Sequence, residues 1–232
     1  ITAFKKVIFL NPNNAEAYNN IGAALQKKGH LTEALVSCRK ALSINPNYSN
    51  AYYNMGNILK KLGNYHEAID AFKKVVFIQP DHAKAYGNMG VALHNNGRLD
   101  DAIDAYKKSI SLKPDYAETY SNMGNVLQAQ GKLDEAIEAL EKSISLNPNL
   151  VEAYNNMGNA LSHKNKINEA IEAYKQAISI NPNYADAYSN MGVALKNQGK
   201  LDESINAFNK AITLDPNHSQ AYSNMGNTFQ DQ

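Results

Sequence analysis

Every proline in this chain stands 34 residues from the next: Pro12, Pro46, Pro80, Pro114, Pro148, Pro182 and Pro216. Glycine keeps the same interval in two registers. Gly22, Gly56, Gly90, Gly124, Gly158, Gly192 and Gly226 form the first. Gly29, Gly63, Gly97, Gly131 and Gly199 form the second, in which Asn165 fills the fifth place, and only Gly87 stands outside both. Helix breakers that share one clock point to a single architecture, a short unit copied along the chain. Unrelated elements would not be spaced this way.

Within one period the apolar residues mark two amphipathic helices. In residues 151–184, Ala153, Tyr154, Met157, Gly158 and Leu161 recur at the i, i+3, i+4, i+7 interval of a helix with one buried face. A break follows at His163 to Lys166, where the other copies place a glycine able to turn left-handed. Asn165 is the next-best residue for that conformation. Ile167, Ala170, Ile171, Tyr174, Ala177 and Ile178 make a second stripe, and Pro182 stops it because proline neither donates nor fits in a helix interior.

An aromatic, then hydrophobic-Gly, then Ala, an aromatic and a closing Pro is the order in which Tyr154, Met157-Gly158, Ala170, Tyr174 and Pro182 occur. This resembles the tetratricopeptide repeat. Full copies are expected at 15–48, 49–82, 83–116, 117–150, 151–184 and 185–218. Residues 1–14 match the second helix of a preceding copy, and 219–232 the first helix of a following one. The resemblance implies an all-α fold, a right-handed superhelical α-solenoid forming one array over residues 1–232. One copy cannot bury both its apolar faces, so stacked neighbours must do so. Cys38 and Leu140 stand where other copies have the second-helix aromatic, and Ser204 replaces the small alanine; these departures are expected to loosen packing locally.

Composition narrows the function by exclusion. With 23 basic and 22 acidic residues the net charge is +1, which gives no electrostatic case for nucleic acid. The charge is nevertheless uneven: residues 1–80 carry 10 Lys and Arg against 4 Asp and Glu. No apolar run approaches the length of a membrane span. Cys38 is the single cysteine, so no internal disulfide can form, and its place on an apolar stripe reads as core. The six histidines show no recurring metal spacing and are read as surface residues. No phosphate-binding glycine loop or Ser/His/Asp constellation is present, so neither a cofactor nor catalysis is expected. The chain opens on Ile1 without a signal-like segment and reads as a window of a longer polypeptide.

What packing does not explain is a polar residue returning in every first helix: Asn20, Asn54, Asn88, Asn122, Asn156, Asn190 and Asn224. On a helical wheel Asn156 lies almost opposite Tyr154, Met157, Gly158 and Leu161. A carboxamide offers an acceptor and two donors, the complement of an extended peptide backbone. The repeats resemble those of the O-GlcNAc transferase type, in which an asparagine ladder at this position grips extended polypeptide along the concave side. That resemblance implies peptide binding by these seven residues. The alternative is that each amide bonds to the neighbouring copy and orders the array with no ligand.

Weaker signals have plainer readings. Lys27, Lys28, Lys60 and Lys61 close two first helices and read as solvated ends favoured by the helix dipole. The lysine clamp that holds chaperone tails in related repeats is not matched, since Asn19, Gly87 and Ser121 occupy its lysine positions. Asn47 and Asn217 begin Asn-x-Ser glycosylation patterns, but both lie in turns after proline where asparagine is favoured anyway. The leading expectation is a non-catalytic scaffold for a protein or peptide ligand. Two others stand beside it. One is the recognition arm of a larger glycosyltransferase; the other is head-to-tail stacking of copies of this chain into a filament.

Overall fold

The computed structural model describes residues 1–231. Among them are fourteen α-helices and no strand. They are α1 (Thr2–Leu10), α2 (Ala15–Lys27), α3 (Leu31–Ile44), α4 (Ser49–Lys61), α5 (Tyr65–Ile78), α6 (Ala83–Asn95) and α7 (Leu99–Leu112). There follow α8 (Ala117–Ala129), α9 (Leu133–Leu146), α10 (Val151–His163), α11 (Ile167–Ile180), α12 (Ala185–Asn197), α13 (Leu201–Leu214) and α14 (Ser219–Gln230). The helices fall into two compact units, Ile1–Pro114 and Asp115–Gln232.

Both units are built alike. In the first, α2 packs on α3, α4 on α5 and α6 on α7, and each pair then leans on the next through α3 with α4 and α5 with α6. Like first helices also touch, α2 with α4 and α4 with α6. In the second, the same relations hold for α8 with α9, α10 with α11 and α12 with α13, and α8, α10, α12 and α14 touch in sequence.

Small residues set the spacing. Ala51, Ala68, Ala85 and Ala102 in the first unit are fully buried, as are Ala136, Ala153, Ala170 and Ala187 in the second. The first-helix glycine receives the large side chain of its own second helix: a Cβ built on Gly158 would stand 2.4 Å from Tyr174 Cε1, and one on Gly90 2.5 Å from Tyr106 Cε1. The departures in this row do not loosen the core. Cys38 and Leu140 are 0% exposed, filling the site with smaller groups beneath Gly22 and Gly124. Ser204 is also fully buried, and its hydroxyl donates to the Gly192 carbonyl at 2.8 Å. A serine replaces alanine there because a backbone acceptor lies within reach.

Two turn chemistries explain the breakers. At the ends of α2, α4, α6, α8, α10 and α12 the chain turns left-handed, with φ between 75° and 83° at Gly29, Gly63, Gly97, Gly131 and Gly199, and 59° at Asn165. The amide of the following residue reaches back five positions, as His30 N–H does to the Leu25 carbonyl at 3.0 Å, closing the helix. At the ends of α1, α3, α9, α11 and α13 the residue before proline caps the turn. Asn45 and Asp215 accept from the amides of Asn47 and Asn217 at 3.1 and 3.0 Å. The prevalence of Asn around the prolines is this turn.

Candidate functional site

The asparagine row lies on the first helices, and all seven members are half-buried. The wheel places them away from their own helix partner, but the neighbouring first helix covers part of each. In the first unit Asn54 donates through Nδ2 to Asn19 Oδ1 at 2.8 Å, and Asn88 through Nδ2 to the Tyr53 hydroxyl at 2.9 Å. In the second unit Asn156 donates to Ser121 Oγ at 3.3 Å and Asn190 to Asn155 Oδ1 at 3.0 Å. Every partner stands 35 residues back, one position before the preceding asparagine of the row. Asn19, Ser121 and Asn155 are themselves buried, at 4%, 3% and 6% exposure. Among the described residues of their own units, Asn20 and Asn122 have no side-chain hydrogen-bond partner, and Asn224 accepts from Gln220 Nε2 at 3.0 Å.

The bond to the neighbouring copy fixes each carboxamide in one orientation. It consumes one of two N–H groups and leaves Oδ1 of Asn54, Asn156 and Asn190 without a partner among the described residues. Asn88 differs, because Lys60 Nζ donates to its Oδ1 at 2.7 Å. Lys60 is half-buried, unlike the exposed Lys27, Lys28 and Lys61, so it is no ordinary solvated helix end. Burial holds its pKa below the usual lysine range, and the adjacent Lys61 charge adds to the effect. Each tethered amide therefore keeps one N–H donor, Asn54, Asn156 and Asn190 keep an acceptor as well, and one ammonium joins the row in the first unit.

A hollow of about 130 Å³ opens beside this row in the second unit. Asn159, Ser162 and His163 of α10, Tyr174 of α11, and Asn190 and Val193 of α12 line it. The Tyr174 ring passes under Gly158 and its hydroxyl donates to Asn159 Oδ1 at 2.8 Å. Two larger hollows, of about 380 and 270 Å³, lie in the first unit between consecutive second helices. They are floored by Tyr52 and Met55 and, one copy on, by Tyr86 and Met89. Charged groups on the first rim satisfy each other, Arg39 donating to Glu67 Oε2 at 3.3 Å.

The remaining residues singled out in the sequence are dispersed. Asn47 and Asn217 are exposed in their turns; Ser49, which follows Asn47 by two, is buried with its hydroxyl donating to Gln79 Oε1 at 2.9 Å. Among the described residues no three His, Cys, Asp or Glu side chains gather where they could hold a metal. No helix is long and apolar enough to cross a membrane. Two histidines are not simple surface residues: His82 and His218 accept through Nδ1 from the amides of Ala85 and Ala221, each at 3.2 Å, and so cap α6 and α14. Their place two residues after proline, where a first helix begins, was the signal for that role. The acceptors of the asparagine row were also missed. Their signal was an oxygen-bearing side chain just before most of these asparagines, at Asn19, Tyr53, Ser121 and Asn155.

Tetratricopeptide repeat models match residues 15–48, 49–82, 185–218, 81–147 and 139–172, and a TPR repeat model matches 158–199. No curated protein sequence matches significantly. Among solved structures, the APC/C hetero-tetramer Cut9-Hcn1 superposes with a TM-score of 0.86 over 98% of this chain at 16% identity, a likeness of fold alone. This chain spans 45% of that one. YrrB, described as a TPR protein with an unusual peptide-binding site, is 27% identical over 80% of this chain and 95% of its own, with a TM-score of 0.64. MamA is 32% identical over 74% of this chain and 93% of its own, also at 0.64. The repeat period, the helix pairs and these matches agree: the chain belongs to the tetratricopeptide repeat family.

Proposed function

We propose that this chain is a non-catalytic scaffold that binds extended polypeptide along the asparagine-bearing faces of its first helices. The observation that carries the reading is the tethering of the amides. A free surface asparagine must lose rotamer entropy to bind, whereas Asn54, Asn156 and Asn190 are already held by the preceding copy with a carbonyl oxygen unsatisfied. Such oxygens accept peptide N–H groups, which every residue but proline supplies, so recognition is broad in sequence. Each bond contributes about 0.5–1.5 kcal/mol, and affinity requires several in register. YrrB, with its peptide-binding site, is a relative of the same size class and lends support. The likeness to O-GlcNAc transferase repeats, and with it a place as the recognition arm of a larger enzyme, rests on the same seven asparagines.

Anisotropy with a labelled peptide selected from a random library tests this. Changing Asn156 and Asn190 together to alanine should weaken binding about tenfold, two hydrogen bonds being lost. Asn155→Ala is the control: it removes the tether of Asn190 but keeps its carbonyl, and should weaken binding less. Equal affinity for the double variant and the parent refutes the reading.

A further inference from the structure

Ser162 lines the hollow beside Asn190. Ser162 stands where the other copies carry Gln26, Lys60, His94, Gln128, Lys196 and Gln230, all long side chains. A long side chain at Ser162 would occupy the space that the hollow leaves open. A second difference coincides with the first. The second-helix core position is Cys38, Phe72, Tyr106, Leu140, Tyr174 or Phe208, so only two copies bring a hydroxyl there. For Tyr106 the residue matching Asn159 is Val91, and the pair is not made. Among the described residues, only at Tyr174 does a core hydroxyl reach through to a carboxamide on the first helix, at 2.8 Å.

The hydrogen bonds already made dictate what the hollow can accept. Asn159 spends Oδ1 on the tyrosine hydroxyl, which leaves its Nδ2 hydrogens as donors. Asn190 spends one Nδ2 hydrogen on Asn155, which leaves its Oδ1 as an acceptor beside one remaining N–H. Ser162 can do either. The lining holds no carboxylate, ammonium or guanidinium, and its one ionisable ring besides the tyrosine, His163, is turned to Gln128 Nε2 at 3.5 Å. A donor and an acceptor side by side, in a space of about 130 Å³, complement a group that is itself both. A charged guest would meet no counter-charge, and an apolar one would strand both polar groups.

We infer that the hollow bounded by Asn159, Ser162, Tyr174 and Asn190 is a side-chain pocket for a carboxamide, an asparagine or glutamine of the bound polypeptide. This rests on the peptide-groove reading above and adds selectivity at one position to an otherwise sequence-tolerant row. The volume is sufficient for the few heavy atoms of one such side chain. Discrimination of this kind comes from leaving polar atoms unpaired when the wrong guest binds, and it exceeds what shape alone gives.

The test is a displayed random peptide library panned in parallel on the full chain and on its Ser162→Gln variant, which restores the residue found at Gln26, Gln128 and Gln230. Asn or Gln at one fixed position among peptides recovered by the parent, and absent from those recovered by S162Q, supports the pocket. The selected peptide, made with that residue changed to leucine, should then bind the parent about tenfold more weakly and bind S162Q no differently. Peptides recovered without a carboxamide preference, or the same preference from both proteins, overturn the pocket and leave the groove standing. Recovery of no peptide by either protein overturns the groove reading and the pocket with it.

Discussion

Gly158 and Gly226 occupy the same place in the repeat, yet alanine at the two should act in opposite directions. A methyl on Gly158 would lie 2.4, 2.6 and 2.7 Å from Cε1, Cδ1 and Cζ of Tyr174. Carbon atoms pack at about 3.5–4.0 Å, so the ring must retreat by roughly 1 Å. It has little freedom to do so: the side chain is 2% exposed and its hydroxyl is bonded to Asn159. Overpacking of this kind costs about 1–3 kcal/mol, and a locked ring belongs at the upper end. Alanine recovers about 1 kcal/mol of helix propensity, leaving a net destabilisation of about 2 kcal/mol. Around Gly226 no atom lies within 4 Å of the added methyl, so only the propensity gain remains, a stabilisation of about 1 kcal/mol.

Repeat arrays need not unfold as one unit, so a single melting temperature is a poor readout. Amide hydrogen exchange resolves the helices. Gly158→Ala should lower protection in α10 and α11 by about thirtyfold, at tenfold per 1.4 kcal/mol. Gly226→Ala should raise protection in α14. Combining Gly158→Ala with Tyr174→Ala should cost less than the sum of the two, because the truncated ring frees the space that the methyl needs. Unchanged protection in α10 for Gly158→Ala, or a loss in α14 for Gly226→Ala equal to it, would refute the steric argument.

Asn165 holds φ at 59° where five copies use glycine. Asn165→Gly should stabilise its helix pair by about 0.5–1 kcal/mol and Asn165→Ala should destabilise it, both measured by exchange in α10 and α11; an alanine variant at parent protection contradicts this. Burial raises the Cys38 thiol from 9.0 to about 11. The fold thus binds this proton more tightly than the unfolded chain does, and the associated stability is complete below pH 9.0 and lost as the pH climbs toward 11. Cys38→Ala should flatten that alkaline decline in urea titrations of the first unit, and the thiol should react with a disulfide reagent only as fast as the unit opens. Rapid labelling of the folded protein would sink both statements.

The helices were legible because their signals are local. Each proline, each left-handed glycine and each apolar stripe acts within one copy, and Asn165 could be matched to its glycine-bearing equivalents from position alone. Relations between copies were less accessible. Cys38 and Leu140 read as weak points, yet both are fully buried, because a sequence gives the size of a side chain but not how closely its neighbours close over it. Lys60 read as one of four equivalent lysines. Only the fold distinguishes it, since its ammonium finds Asn88 on the next first helix while its neighbour Lys61 points to solvent.

The asparagine row sharpens that distinction. A search for period 34 finds the row, but the bond each amide makes runs to residue i−35, whose identity wanders through Asn19, Tyr53, Ser121 and Asn155. What these share is an oxygen, and a scan for identical residues does not register it. Ordering the array and binding a ligand are compatible roles for these amides. A carboxamide has two polar ends. At Asn54, Asn156 and Asn190 the nitrogen end links one copy to the next, and the oxygen end has no partner among the described residues. An amide with both ends satisfied internally, as Asn88 is by Tyr53 and Lys60, would be structural alone, and replacing Lys60 with methionine should release its oxygen to behave like those of Asn54, Asn156 and Asn190.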